Sequence, residues 1–246
     1  MENTKTLTLQ WGGMAFVDSN GSSIPLLFLH GTGCDSADWT SVMEKLPQNQ
    51  RYVTLDFRGH GQSSTPTDPF TIENLANDVL KLVDSLGIPK LVLVGHSLGG
   101  MVAMEVAKRS SHVIGLILLE GWTSLSNVRN AFDRGRFYGS LSQTDINQIQ
   151  HKSQQTRTRF EQNVWERFWA YVRAFDAYTY LEQTQIPIYE VFGEMGRNES
   201  TEKFLRIPPN PNIQWKWVPN AGHYLPHECP AEVTEICCSF INTIGK

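Results

Sequence analysis

The stretch LVLVGHSLGGMVAMEVAKRS, residues 91–110, joins an apolar run to a helical pattern through a serine between glycines. The apolar run is typical of a buried strand, and the pattern after it is typical of a helix. Between them, Gly95-His96-Ser97-Leu98-Gly99 fits G-x-S-x-G, a sharp strand-to-helix turn that pushes a hydroxyl outward. The motif therefore predicts a nucleophilic Ser97 at the carboxyl end of a central strand. The alternative is a glycine-rich turn with an inert serine.

Short apolar runs alternate with helical patterns on both sides of this stretch. Two opening runs, TLTLQW and MAFVDSNG, favour an antiparallel hairpin, and TIENLANDVLKLVDSLG predicts a helix that Thr71 caps and Gly87 ends. Buried strands are predicted for IPLLFLHG, YVTLDFRG, KLVLVGH, VIGLILLEG and IPIYEVFGE. This alternation predicts an α/β fold, with a mostly parallel central sheet and helices on both faces.

One segment, residues 122–182, interrupts the alternation and has no strand pattern. It holds 12 of the 26 aromatic residues, and Trp165, Phe168, Trp169 and Val172 repeat at helical spacing. We therefore expect a helical lid, or cap, over 122–182, inserted into a core domain of residues 1–121 and 183–246. Its aromatic residues either pack the lid onto the core or line a substrate pocket.

A serine hydroxyl needs a base to take its proton, and the late loop AGHYLPHECP offers His223. A histidine that only stabilises this loop is the alternative. Acyl transfer also needs N–H donors for the developing oxyanion. The backbone N–H groups of Leu98, after the nucleophile, and of Thr32, in the turn after FLHG, are the candidates.

Composition narrows the class of protein further. The 246 residues carry a net charge of −4, which argues against a nucleic-acid binder. We expect no membrane span, and the opening residues lack a basic-then-apolar signal pattern. The four cysteines fit no zinc motif, and the adjacent Cys237 and Cys238 in a helical pattern are typical of a buried reduced pair, so we expect a reducing cytoplasm. Acyl transfer by a serine and a histidine needs no metal and no organic cofactor, so we expect neither.

Four motifs together resemble the α/β-hydrolase superfamily: HGTG at 30–33, DFRGHGQS at 56–63, GHSLGG at 95–100 and AGHYLPHECP at 221–230. The chain is similar to small serine esterases with a helical cap after the sixth strand. The resemblance implies acyl chemistry, and it implies a structural rather than chemical role for the DFRGHG loop.

The resemblance fails at the acid that would orient His223. The family usually places an aspartate in a G-x-x-D pattern after the strand IPIYEVFGE, but Gly196 stands at that position. Glu120, at the end of LILLEG, is our favoured substitute, with Glu194 and Glu199 as alternatives. A glutamate that merely ties the lid to the core is the other interpretation of Glu120.

These observations predict a serine hydrolase that cleaves a small to medium apolar or aromatic carboxylic ester through an acyl-enzyme. Lactonase, thioesterase, perhydrolase and carbon–carbon bond hydrolase activities use the same machinery and remain open. A ligand sensor of the same fold is the alternative from another class. It would bind a small molecule in the pocket and show no sustained turnover.

Overall fold

The computed structural model describes residues 3–125, 134–195, 197 and 204–244. Within these ranges the chain forms an eight-stranded sheet in the order β1-β2-β4-β3-β5-β6-β7-β8. The strands are β1 (Lys5–Leu9), β2 (Gly12–Asp18), β3 (Leu26–Leu29), β4 (Tyr52–Leu55), β5 (Leu91–His96), β6 (Val113–Leu119), β7 (Ile188–Gly193) and β8 (Ile213–Val218). The helices described are α1 (Thr40–Met43), α2 (Ile72–Ser85), α3 (Leu98–Ala107), α4 (Gln143–Thr158), α5 (Gln162–Ala174), α6 (Tyr178–Gln183), α7 (Leu225–Glu228) and α8 (Pro230–Ile244).

The sheet is mostly parallel, which confirms the predicted fold class. Strands β3 to β8 pair in parallel, while β1 and β2 form the predicted antiparallel hairpin, and β2 also pairs antiparallel with β4. Because parallel strands end at the same edge, the loops after β3, β5, β6, β7 and β8 come together there. This edge is where the motif residues lie.

Helices cover both faces of the sheet, because the central strands are apolar on both sides. One core cluster joins alternate strand residues to α2, α3 and α5, and its members include Leu29, Leu93, Leu118, Val79, Val102 and Phe168. The other joins the remaining strand residues to α1 and α8, and its members include Phe28, Val94, Leu119, Val42, Val233 and Phe240. The doubly covered sheet holds the loops at its carboxyl edge on a rigid base.

Local signals for α2 act as predicted. The Thr71 hydroxyl accepts a hydrogen bond from the Asn74 N–H, and the Asn74 side chain accepts one from the Thr71 N–H, which forms a capping box. At the other end, Gly87 has a φ of +60°, a conformation that favours glycine.

Helices α4, α5 and α6 lie between β6 and β7, where the sequence shows no strand pattern. The ends of this insertion meet, since Ala177 N donates to Thr123 O over 2.9 Å. Lys152 forms ion pairs with Asp35 and Asp38 in the loop after β3. The face of α5 packs on the core, with Phe168 stacked on Phe70 at 4.7 Å. Among the described helices, none has the length and apolar character needed to cross a bilayer.

Candidate active site

Ser97 occupies a strained turn between β5 and α3. Its φ of 55° and ψ of −116° lie outside the regions that non-glycine residues usually adopt. Its N–H donates to Leu119 O over 2.9 Å, and its carbonyl accepts from Gly100 N, so the turn is held from both sides. The side chain is partly exposed, whereas its neighbours His96 and Leu98 are buried. The strained backbone thus presents the hydroxyl at the carboxyl edge of the sheet.

The glycines of this turn are required by close backbone contacts. A Cβ on Gly95 would overlap the backbone of Gly99, and a Cβ on Gly99 would overlap the carbonyl of Leu29. A Cβ on Gly31 would lie 3.3 Å from the Ser97 Cβ. The loop after β3 therefore lies directly against the serine turn.

This contact places the loop that carries Thr32 beside the turn that carries Leu98, and these are the two residues predicted to supply oxyanion donors. Thr32 follows Gly31 in the loop after β3, and Leu98 begins α3 beside the serine. In the described part of the chain, neither the Thr32 N–H nor the Leu98 N–H donates a hydrogen bond. The helix start at Leu98 adds the positive end of the helix dipole. Backbone N–H groups without a partner are the kind of donor that stabilises a negatively charged oxygen.

His223 lies in the loop after β8 and reaches this edge through two contacts with its neighbours. His96 Nε2 donates to the His223 carbonyl over 2.9 Å, and the two rings lie 4.9 Å apart. His223 Nδ1 lies 3.4 Å from Glu120 Oε2. The imidazole is buried, with 4% of its side chain exposed. The structure thus brings His223 together with Glu120, and with the residue next to Ser97.

Among the described residues, the hydrogen bond of the His223 ring goes to Glu120 and not to the Ser97 hydroxyl. Hydrogen bonds between a nucleophile and its base are commonly long before substrate binds. The geometry therefore supports the pairing of His223 with Glu120 directly. It supports the pairing with Ser97 indirectly, because His96, the residue before Ser97, binds the His223 carbonyl.

Glu120 is fully buried and has a strained φ of 55° at the end of β6. Four donors satisfy its carboxylate. Gly193 N lies 2.9 Å from Oε1, Arg197 contacts both oxygens at 2.5 Å, Trp122 Nε1 lies 3.3 Å from Oε2, and His223 Nδ1 completes the set. Buried carboxylates need such donors to stay ionised.

The charge state of Glu120 follows from these contacts. Burial by itself would raise its pKa, but the positive charge and hydrogen bonds of Arg197, with the hydrogen bond of His223, outweigh burial and lower the pKa to about 2. Glu120 is therefore a carboxylate at neutral pH, and it can orient His223 and stabilise its protonated form.

Sequence reasoning did not identify Arg197 or Trp122. Arg197 lies 77 positions from Glu120 in sequence, in the loop after β7 where the family usually has its acid. The one available signal was the missing acid at Gly196 followed by an arginine. A buried acid at another strand end needs a cation, and this loop supplies it.

Of the two alternative acids, Glu194 is the one that the structure describes. Glu194 is exposed, and its backbone N–H donates to Val218 O. Glu199 and Gly196 lie outside the described residues. Within the described residues, Glu120 is the acid that contacts the His223 ring.

The other buried histidines near the site have backbone partners. His30 Nε2 accepts from Phe57 N over 3.0 Å and its Nδ1 donates to Gly31 O, which links the loops after β3 and β4. Burial, with a smaller contribution from the nearby His223, lowers the pKa of His96 to about 3, so His96 stays neutral. These residues hold loops in place.

Residues 26–236 match the model of the Alpha/beta hydrolase family. The chain belongs to this family. The match covers the serine turn, the strand that ends before Glu120 and the His223 loop, and it agrees with the doubly covered parallel sheet. The family resemblance predicted from the motifs is thereby confirmed.

A curated relative is an sn-1-specific diacylglycerol lipase of Danio rerio, 34% identical over 119 residues, which make up 47% of this chain and 37% of the lipase. The alignments of the chain with this lipase and with other curated relatives span 29% to 42% of those proteins.

Solved structures resemble the chain over nearly its whole length at low identity. A mutant of the N-acyl homoserine lactonase AidH, complexed with N-hexanoyl homoserine, has a TM-score of 0.82 at 23% identity and covers 99% of this chain and 98% of its own. A malate-bound thermophilic esterase from Thermogutta terrifontis has a TM-score of 0.76 at 24% identity and covers 99% of this chain and 100% of its own. These similarities establish the fold.

Proposed function

We propose that the protein is a serine hydrolase that cleaves carboxylic esters through an acyl-enzyme. The observation that carries the proposal is the pairing of His223 Nδ1 with the buried, ionised Glu120, next to a serine on a strained strand-to-helix turn. A nucleophile, a base and a group that orients the base are the components that acyl transfer needs.

The first half-reaction forms the acyl-enzyme. Ser97 Oγ attacks the ester carbonyl carbon while His223 Nε2 takes the hydroxyl proton, since Nδ1 faces Glu120. The carbonyl oxygen becomes an oxyanion between the Thr32 and Leu98 N–H groups. The bond to the leaving oxygen then breaks, and His223 gives its proton to the departing alcohol. Glu120 stabilises the imidazolium throughout.

The second half-reaction releases the acid. Water attacks the acyl carbon as His223 Nε2 takes one of its protons, and the same two N–H groups hold the second oxyanion. The bond to Ser97 Oγ breaks as that oxygen regains a proton from His223. None of these steps uses a metal or an organic cofactor.

Aromatic rings around His223 support a small to medium apolar or aromatic substrate. Phe137 stacks on the imidazole at 4.5 Å, Trp122 lies 5.1 Å from it, and Tyr138 stacks on Tyr224 at 5.5 Å. Phe137, Tyr138 and Trp122 belong to the insertion, which we assign as a cap of residues 122–182 on a core of 1–121 and 183–246. The cap thereby supplies apolar walls to the site.

A panel of p-nitrophenyl esters of increasing acyl length tests the proposal on the wild type and on Ser97→Ala. We expect multiple turnovers with a maximum beyond acetate, and loss of at least about 10³-fold in kcat for Ser97→Ala. Turnover that is highest for acetate and flat beyond it contradicts an apolar pocket. Undiminished turnover by Ser97→Ala contradicts the mechanism.

The same panel separates the neighbouring possibilities. Adding an N-acyl homoserine lactone, a thioester and a β-diketone distinguishes lactonase, thioesterase and carbon–carbon hydrolase activities from esterase activity. A single slow burst, or binding with no turnover, would instead identify a ligand sensor and contradict the proposed enzyme.

A further inference from the structure

The Glu228 side chain, at the end of α7, joins two separate parts of the chain around His223. Its Oε2 accepts from Gly222 N over 2.8 Å and from Ser140 N over 3.0 Å. Its Oε1 accepts from Tyr224 N over 3.0 Å. Two of these donors flank His223 in sequence, and the third belongs to the insertion.

The backbone N–H of His223 itself, between those of residues 222 and 224, is bound by the insertion. His223 N donates to Phe137 O over 2.9 Å, and the Phe137 ring stacks on the imidazole at an angle of 16°. Three successive N–H groups, at residues 222, 223 and 224, are thus held alternately by Glu228 and by Phe137. Residues 135–141 of the insertion, hereafter the docking segment, contact both the backbone and the ring of His223.

The two backbones approach so closely that glycine is needed on both sides. Gly139 has a φ of +51°, and a Cβ there would overlap the Glu228 carboxylate and the Gly222 N–H. A Cβ on Gly222 would lie 2.6 Å from both Arg136 O and Gly139 N. Any side chain at either position would push the docking segment away from the histidine loop.

The three N–H donors favour the ionised form of Glu228, while burial opposes it. Burial raises its pKa, and the hydrogen bonds from the N–H groups of Gly222, Ser140 and Tyr224 oppose that rise. The carboxylate therefore depends on the same three donors that it holds in place. Movement of Ser140 away from Glu228 removes one of these donors and weakens the hydrogen bonds that Glu228 accepts from residues 222 and 224.

We infer that Glu228 is a positioning residue, and that it aligns the His223 imidazole only while the docking segment of the cap is in place. This inference rests on the proposed function, because alignment matters only if His223 acts as the base. Cap docking and completion of the catalytic geometry then become one event. Displacement of a catalytic group by about 1 Å can cost on the order of 10² in rate, so the effect is measurable.

The first test is Glu228→Gln, assayed for ester hydrolysis. A glutamine keeps one acceptor oxygen and turns an N–H₂ group toward the remaining backbone donors. We expect kcat to fall about 10²-fold and KM to change by a much smaller factor, because a displacement of about 1 Å misaligns the base strongly but moves the apolar walls of Phe137 and Tyr138 only slightly. Glu232→Gln, an exposed glutamate four residues further along, is the control and keeps wild-type values.

The second test is Gly139→Ala, which leaves Glu228 intact and separates the backbones by steric overlap. Its control is Gly87→Ala, since Gly87 has a similar φ of +60° and nothing lies within 4 Å of a Cβ there. We expect Gly139→Ala to lower kcat as Glu228→Gln does, and Gly87→Ala to lose only stability. Thermal unfolding of all four variants shows whether activity merely follows the folded fraction.

Amide hydrogen exchange supplies a readout that does not depend on turnover. We expect residues 222–224 and 140 to lose protection together in Glu228→Gln and in Gly139→Ala. Wild-type kcat in both variants, or activity that falls only with the folded fraction, would overturn the inference. If the wild type hydrolyses no ester, the proposed function fails, and joint or separate loss of protection alone then decides whether Glu228 couples cap and loop.

Discussion

Glu120, directly after β6, and Glu190, inside the neighbouring β7, are both buried, but they differ in their hydrogen-bond partners. Glu120 receives N–H groups from Gly193, Arg197, Trp122 and His223. Both carboxyl oxygens of Glu190, inside β7, have no hydrogen-bond partner among the described residues. Its neighbours across the sheet are Leu118 and Trp215.

The two carboxyl groups consequently have different charges at neutral pH. Burial, with a smaller contribution from the nearby charge of Glu120, raises the pKa of Glu190 to about 8, whereas the pKa of Glu120 is lowered to about 2. Within a sheet, backbone N–H groups are already used by neighbouring strands, so none is left for Glu190. At the carboxyl edge of the sheet, N–H groups from several loops can all donate to one carboxylate, as they do at Glu120. The hydrogen-bond donors around each carboxyl group, and not its extent of burial, therefore decide which of these two buried acids is ionised.

The largest expected effect comes from Glu120→Gln. The amide presents no negative charge to the imidazolium and can hold the wrong tautomer of His223, so we expect kcat to fall about 10³–10⁴-fold. Steady-state hydrolysis of the best ester in the panel measures it.

The matched variant is Glu199→Gln, because Glu199 is one of the alternative acids that the sequence offers for orienting His223. A kcat within a few fold of wild type for Glu120→Gln, together with lost activity for Glu199→Gln, would contradict the assignment of Glu120.

Arg197→Met is expected to have the next largest effect. It leaves Glu120 buried without its cation, and breaking a buried pair in this way costs about 3–5 kcal/mol of unfolding free energy. We also expect kcat to fall about 10- to 100-fold, because Glu120 loses the contacts that fix its oxygens. Urea denaturation and ester turnover measure the two effects.

Arg206→Met provides the control for Arg197, since its partner Asp176 is exposed and such pairs contribute about 0–1 kcal/mol. Equal destabilisation by the two substitutions would contradict a special role for the Arg197 charge.

Glu190→Gln is expected to change the pH dependence of stability and not the chemistry. Native Glu190 keeps its proton up to about pH 8, whereas the unfolded chain loses it near 4.5, so this group destabilises the wild type progressively as pH rises between these values. Glutamine does not titrate, so the variant is not destabilised in this way as pH rises. The unfolding free energy of the variant minus that of the wild type should therefore increase by a few kcal/mol between about pH 4.5 and 8.

Denaturation at several pH values measures this difference, with Glu235→Gln, an exposed glutamate on α8, as the control. A constant difference between Glu190→Gln and the wild type across this range would show that Glu190 is ionised in the folded protein. That result would contradict the conclusion that Glu190 is protonated at neutral pH while Glu120 is ionised.

Trp122→Phe has the smallest expected effect. It removes one neutral donor, 3.3 Å from Glu120 Oε2, and keeps an aromatic ring beside His223. Because Gly193, Arg197 and His223 still contact the carboxylate, we expect kcat to fall by less than about fivefold. A loss as large as that of Arg197→Met would mean that the indole, and not the guanidinium, fixes the acid.

The sequence predicted what local pattern can encode. Alternating apolar runs gave the strands, Thr71 and Gly87 the ends of a helix, and the glycines around Ser97 a turn that the structure contains. The missing acid at Gly196 pointed to Glu120 among three candidates, and the structure places Glu120 against His223. Its catalytic role stays a prediction.

The contacts that complete the site could not be predicted, because they join irregular loops that are distant in sequence. Arg197 reaches Glu120 from the loop after β7, and Phe137 reaches His223 from the insertion. No periodicity marks such residues. Glu190 was also overlooked, since an acid inside an apolar strand run carries no sign of whether donors will meet it.

The most direct measurement of the central claim is the intact mass of the protein, quenched during turnover of an ester. We expect a mass increase of one acyl group, carried by the peptide that contains Ser97, and neither the increase nor appreciable turnover in Ser97→Ala. An acyl group on another residue, or wild-type turnover by Ser97→Ala, would contradict it.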